Sequence, residues 1–499
     1  MAINQIKSGA ILSYLTIFLG TMISIVYTPI MLRMLGQGEY GLISLSQSVV
    51  GYLGLLNLGL GSAMVRYITK YKAEENKEME YGVMTLFLKI FGFLSLVILL
   101  VGTLLVFNIH GLFSQSLTEE EFSKLQKLMI LMTFNVAMSM ISSVFYAVMM
   151  AYERFVFTKA VGIINIVINP LIMLPLLFLG SKSVGITIAS TMLNLINVVV
   201  VVYYVFGILK VRIKHVKFER SFLRELFGFS FYVLFALIVD KVYWGTDQFI
   251  LGAVAGTVVV AVYNIGANFV SYYMQFSTAI TGMFLPRLTT MDVNHVSDTE
   301  FSDLFTKVGR LQYLILAFVL TGFILLGKRF IVLWAGLDYE ESYYIALFVL
   351  IPFTIPLIQN LGLQMMYARN LHKFRSLVLF GIAILNVCIS IPMARIYGGL
   401  GCAAVTGGTF ILGQFFILNW FYKVKMRIDI FKFWKEIGKL IICTCVILVI
   451  SYYVCSFMVV NTWLYLFINA FLYAIIYVII MWFWGMNAYE KSLINYFRR

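Results

Sequence analysis

Apolar and polar positions do not alternate along this chain; apolar residues run together in stretches of about twenty or more, separated by short polar breaks. Four such runs open the sequence: Gly9 to Met34, Leu42 to Met64, Val83 to Phe107 and Leu128 to Met150. The others are Ala160 to Leu179, Val184 to Leu209, Phe227 to Ala253, Val258 to Leu285, Leu311 to Leu333, Tyr344 to Tyr367, Leu377 to Ile396, Gly401 to Tyr422, Ile437 to Val459 and Thr462 to Trp484. Each approaches or exceeds the ~20 residues that cross ~30 Å of hydrocarbon at ~1.5 Å per residue. The pattern predicts an all-α polytopic membrane protein of about 14 transmembrane helices, with loops too short to hold a soluble domain.

Composition agrees: 61% of residues are hydrophobic, 12% are charged and the mean hydropathy is +0.93, as expected of a chain whose solvent is mostly lipid. The first apolar run is preceded only by Lys7 and is too long for a signal-peptide core, so it is expected to remain as a helix. Cys388, Cys402, Cys443, Cys445 and Cys455 all fall in apolar segments and read as small core hydrophobes, with neither a disulfide nor a metal implied.

A net charge of +14 would suggest nucleic acid in a soluble protein; here its distribution over the loops sets orientation. With the N-terminus cytoplasmic, the inner face carries 28 Lys and Arg residues and the outer face seven. Lys210, Arg212, Lys214, Lys217, Arg220 and Arg224 form the densest inner group before the seventh run. Both termini are therefore expected in the cytoplasm, with the loop cations attracted to anionic membrane lipid.

An offset of 216 residues recurs. It relates Leu35-Gly36 to Leu251-Gly252, Met149-Met150 to Met365-Met366, and Gly185 to Gly401. Six helices separate equivalents, and an even number of crossings returns the chain to the same side. The halves are thus read as parallel repeats, with a six-helix lobe over 1–215, a second over 216–430 and two additional helices over 431–499.

The run Leu32 to Leu42, with Gly36, Gly38, Glu39, Tyr40 and Gly41, followed by Gly51-Tyr52-Leu53, Leu58-Gly59-Leu60 and Arg66-Tyr67, resembles the opening of oligosaccharide flippases. These are the O-antigen and capsule-unit translocases of the multidrug/oligosaccharidyl-lipid/polysaccharide exporter superfamily. Asp247-Gln248, Leu251-Gly252, Tyr263, Ala267 and Pro286-Arg287-Leu288 resemble that family's seventh and eighth helices. Fourteen helices fit its lipid-linked oligosaccharide branch better than the twelve-helix drug-extruding branch. The resemblance implies a flippase, not an enzyme, in a bacterial inner membrane. It would move polyprenyl-diphosphate-linked oligosaccharide from the cytoplasmic to the outer leaflet, beside polysaccharide polymerase machinery and with no nucleic-acid partner.

Ionisable residues at membrane depth are costly and usually face a cavity, so the few exceptions form a site map. In the seventh run Asp240, Trp244 and Asp247 share a helical face that is expected to be wet, with Lys241 about 100° away and within reach of Asp240 or a bound anion. Arg66 and Lys89 are expected to converge on the inner mouth with Lys241 deeper, where their charges suit a diphosphate. Asn264, Asn268, Ser271, Gln275 and Thr278 draw a polar stripe down the eighth run, whose amides and hydroxyls can exchange hydrogen bonds with a glycan. Ser44, Ser48 and Gly51 make a thinner stripe in the second run. Asp240 and Asp247 are candidates to couple a proton or sodium ion; no other cofactor is implied. Pro29, Pro170, Pro175, Pro352, Pro356 and Pro392 are candidate bends.

Two rival classes remain. A membrane glycan polymerase or acyltransferase is disfavoured because His110, His215, His295 and His372 lie in or beside loops and no outer loop is long enough for a catalytic constellation. A cation-coupled multidrug-type antiporter shares the architecture, yet calls for an acidic, aromatic pocket without the cations at Lys89 and Lys241.

Overall fold

A computed structural model describes residues 5–57, 60–113, 116–281, 288, 291, 297–369, 371–456 and 462–497. Among them the regular structure is helical. The main helices are α1 (Gln5–Gly51), α2 (Leu60–Ala73), α3 (Lys77–Asn108), α4 (Glu119–Ala151), α5 (Phe155–Phe178), α6 (Ser183–Tyr203), α7 (Arg220–Val254), α8 (Thr257–Thr281), α9 (Asp298–Ala335), α10 (Glu341–Ile358), α11 (Asn360–Ala368), α12 (His372–Phe410), α13 (Ile430–Ser456), α14 (Trp463–Ile480) and α15 (Ala488–Phe497).

Ten helical stretches among these residues are long and apolar enough to cross a membrane. Two are double crossings. Leu15–Asn57 has 43 residues and Phe374–Val424 has 51, or about 65 and 77 Å of helix, and each is broken by a non-helical glycine, Gly36 or Gly398. Dividing these two and adding α7 and α8, which are also of spanning length, gives the fourteen crossings that the hydropathy predicts.

Four of the tight turns fall on glycines. Gly36 and Gly180 turn the chain with φ of 78° and 82°, and Gly256 and Gly398 do so with 86° and 55°. The first and third of these are 220 residues apart and the second and fourth 218, close to the offset in the sequence. A side chain is strained at such φ values, so glycine marks each tight return.

The chain forms two compact units, Met1–Ala261 and Val262–Arg499. In the first, α3 packs on α4, α4 on α6, α1 on α5 and α7 on α1. Its turn at Gly36 is pinned by Glu39. That carboxylate accepts from Lys124 Nζ at 2.7 Å and from the Ser183 N–H at 3.2 Å, so the turn within α1 is tied to α4 and to the start of α6. Lys124 also pairs with Glu120. Thr118 and Glu121 cap α4 reciprocally, the Glu121 N–H to Thr118 Oγ1 and the Thr118 N–H to Glu121 Oε2, which satisfies donors that a helix start leaves open.

In the second unit α9 is the central helix, packed on α10, α13 and α14. Arg310 stands out. Its place in the sequence suggests a loop cation, yet it is only 4% exposed and all five guanidinium N–H groups are used. Nε and Nη2 grip Glu490 at 2.7 and 3.0 Å; Nη1 reaches the Glu436 carboxylate and carbonyl; Nη2 also donates to the Gly485 carbonyl. One residue thereby joins α9, α13 and the start of α15.

The cysteines depart in part from their reading as core residues. All are free and Cys402 is buried, but Cys388 and Cys445 are exposed on the apolar surface. The six prolines singled out in the sequence do lie inside helices α1, α5, α10 and α12.

Candidate functional site

The second crossing does not run through as one helix. It stops at Gly51, continues as a short 3-10 turn over Leu53–Asn57 and resumes as α2. Gly51, Gly54, Gly59 and Gly61 crowd this stretch and weaken helix propensity there. A break at membrane depth leaves carbonyls without their usual partners, a condition tolerated where protein or cavity water surrounds them.

Helix α7 runs against this break in antiparallel register. Leu45 lies where a β-carbon on Gly252 would fall, 2.2 Å from Cδ1. Ser48 Oγ donates to the Gly245 carbonyl at 2.9 Å, and the Tyr52 hydroxyl is 2.9 Å from Thr246 Oγ1. Lys241 comes next. Its ammonium lies beside Gly51, where an added β-carbon would be 2.6 Å from Nζ, and 5.4 Å from the Tyr52 ring centroid. The group is half-buried, and the Tyr52 ring is its one polar or ionic partner among the described residues. A half-desolvated ammonium with only a π-face beside it is a strong anchor for an anion.

Asp247 lies two turns further along α7 and is 3% exposed, whereas Trp244, predicted on the same wet face, is exposed. That face is therefore not uniformly wet: it passes from open at Trp244 to enclosed at Asp247. Asp240 lies on α7, but its side chain falls outside the described residues.

Other predicted site residues are distributed differently. Arg66 is exposed on α2, with its guanidinium 5.9 Å from the Tyr67 ring. Lys89 is also exposed, and it continues the stripe Phe93, Leu96, Leu100, Leu104 and Phe107, all exposed large apolar residues on α3. Such a stripe faces lipid. Among the described residues no direct contact joins Arg66, Lys89 and Lys241. The thin stripe in the second crossing is also closed: Ser44 bonds back to the Tyr40 carbonyl and Ser48 to α7.

The eighth-helix stripe does lie along one side. Asn264 and Asn268 are half-buried, and Ser271, Gln275 and Thr278 are exposed. The opposite side of α8 packs within the second unit, Tyr273 against Thr354 and Ser277 against the Leu357 carbonyl. Pro286 and Arg287 of the motif lie outside the described residues.

Tyr52, which the sequence singles out only as part of a family motif, completes the contact between the break and α7 with Thr246 and Gly245. The cluster of glycines at 51, 54, 59 and 61 is the signal that marks the break.

Comparison with known proteins places this geometry in a class. The model of the family described as polysaccharide biosynthesis protein matches residues 6–292, more than half of the chain, and the chain belongs to that family. No curated protein matches it in sequence. The lipid II flippase MurJ, solved in an inward closed conformation, shares the fold with a TM-score of 0.73 over 97% of this chain and 99% of that one, at 15% identity. An inward-facing multidrug resistance MATE family transporter of the MOP superfamily is similar over 82% of this chain and 96% of its own, with a TM-score of 0.59 and 13% identity. A MOP superfamily transporter from Pyrococcus furiosus gives 0.57 over 85% and 96%, at 14% identity. The chain is thus a multi-pass membrane protein of the polysaccharide biosynthesis protein family, with the fold of these transporters.

Proposed function

We propose that the protein is a flippase for polyprenyl-diphosphate-linked oligosaccharide repeat units, moving them from the cytoplasmic to the outer leaflet of a bacterial inner membrane by alternating access. The observation that carries this reading is the half-buried Lys241 ammonium, held at the break of the second crossing without a carboxylate partner among the described residues. A lipid diphosphate supplies the missing anion. Charge-assisted hydrogen bonds from an ammonium offset much of the cost of bringing it to membrane depth. The family and the MurJ fold support the same class of cargo.

On this reading Lys241 holds the diphosphate and Arg66 meets it at the inner entrance. Asn264, Asn268 and Gln275 contact sugars. Lys89, on the lipid-facing stripe of α3, attracts the headgroup from the bilayer side. Asp247, and Asp240 with it, exchange a proton or sodium ion as their surroundings change, which gives the second ligand that directional transport requires. Both termini are cytoplasmic, and a polysaccharide polymerase receives the product.

The discriminating experiment is deletion of the gene in its host followed by analysis of lipid-linked glycan. Accumulation of unpolymerised repeat units on the inner side supports the proposal, and unchanged export in the absence of any related transporter refutes it. A multidrug-type antiporter would instead leave the glycan unchanged and alter tolerance to cationic compounds.

A further inference from the structure

The segment between α6 and α7 is not a loose loop. Residues 209–219 run without helix over one end of the first unit and are fastened at several points. Val211 is 4% exposed and its N–H donates to the Val205 carbonyl at 3.3 Å. The Lys214 N–H donates to Thr85 Oγ1 at 3.1 Å, and its ammonium is 3.6 Å from Glu78. Val216 covers Gly82, where a β-carbon would sit 2.6 Å from Cγ2; any side chain at position 82 would lift the strap from α3.

What this fastening presents outward is basic. Lys210, Arg212, Lys214, His215 and Lys217 are all exposed, and Lys210 takes a left-handed conformation with φ 52° at the start of the strap. Val211 is turned inward, and its neighbours Lys210 and Arg212 both stay exposed. Of the cations, Lys214 is partly neutralised by Glu78. Lys210, Arg212 and Lys217 have no carboxylate partner among the described residues, and Glu219 is the one acid within the strap. Two large apolar side chains, Ile208 and Ile213, are exposed beside them at 55% and 52%.

We infer that this strap is a binding site for anionic phospholipid headgroups. It joins two membrane crossings, so it lies at the bilayer surface, where Ile208 and Ile213 can enter the acyl boundary while the cations meet lipid phosphates. Fixed in place, the strap loses little conformational entropy on binding, unlike a disordered basic loop. The inference does not depend on the nature of the cargo.

The test is native mass spectrometry of the full-length protein in detergent with added phosphatidylglycerol or phosphatidylcholine. Wild type is expected to retain phosphatidylglycerol preferentially. The triple variant Lys210→Gln, Arg212→Gln, Lys217→Gln should lower that affinity by about tenfold or more. The charge-preserving triple Lys210→Arg, Arg212→Lys, Lys217→Arg should keep it, which separates loss of charge from loss of fold. Equal phosphatidylglycerol retention by the wild type and the glutamine variant would overturn the inference. So would displacement of the lipid by millimolar inorganic phosphate, which would mark a site for the free anion instead.

Discussion

Lys241 and Gly51 are in such close approach that a single methyl group at position 51 would come within 2.6 Å of the ammonium nitrogen. The glycine is the space the lysine occupies. Because the colliding atom is the far end of a flexible side chain, Gly51→Ala should displace the ammonium without unfolding the protein. Transport should fall while the melting temperature in detergent stays within about 3 °C of wild type, as for a change below ~1 kcal/mol in a protein of this size. A large loss of stability would show that the glycine serves the helix break itself.

Lys241→Ala removes the charge outright and should reduce translocation by about tenfold or more, the scale of a lost hydrogen bond to a charged group. Lys241→Arg should retain more activity than Lys241→Ala. Equal activity in the two variants would assign the lysine to packing against Tyr52.

Gly41 should behave differently from Gly51. A β-carbon there would lie 1.9 Å from the carbonyl oxygen of Thr257, which is backbone and cannot rotate aside. Gly41→Ala should therefore push α1 and the start of α8 apart and cost about 1–3 kcal/mol, read as a lower melting temperature. An unchanged melting temperature would mean that this approach is easily relaxed.

Arg310 supplies the strongest stability prediction. Replacing it by Ala leaves Glu490, 2% exposed, without its cation, while Glu436 keeps Lys439, and breaking a buried pair costs about 3–5 kcal/mol. The double variant Arg310→Met, Glu490→Gln should recover part of that loss, because it removes the stranded charge. If the single and double variants melt together, the cluster does not hold the C-terminal segment.

Much of the fold was legible because membrane crossings are written in unbroken apolar runs, and the tight turns at Gly36 and Gly180 return near the sequence offset at Gly256 and Gly398. Breaks inside a crossing were harder to read. Hydropathy sees Leu42 to Met64 as one helix, and only the glycine spacing hints at the interruption beside Tyr52. Lys241 is legible as a cation inside an apolar run, whereas the face that Lys89 occupies is not: hydropathy counts its depth but does not show that it lies on the exposed apolar stripe of α3. The burial of Arg310 is not legible locally, because its partners Glu436 and Glu490 are 126 and 180 residues away.

The account is tested most directly by reconstituting the purified protein in vesicles that carry a polyprenyl-diphosphate oligosaccharide in one leaflet and following its appearance in the other. Wild type should translocate it, Lys241→Ala should be slowed by about tenfold or more, and Asp247→Asn should bind the glycan lipid yet lose its response to an imposed proton or sodium gradient. Translocation by wild type no faster than in protein-free vesicles, under every gradient, would contradict the central claim.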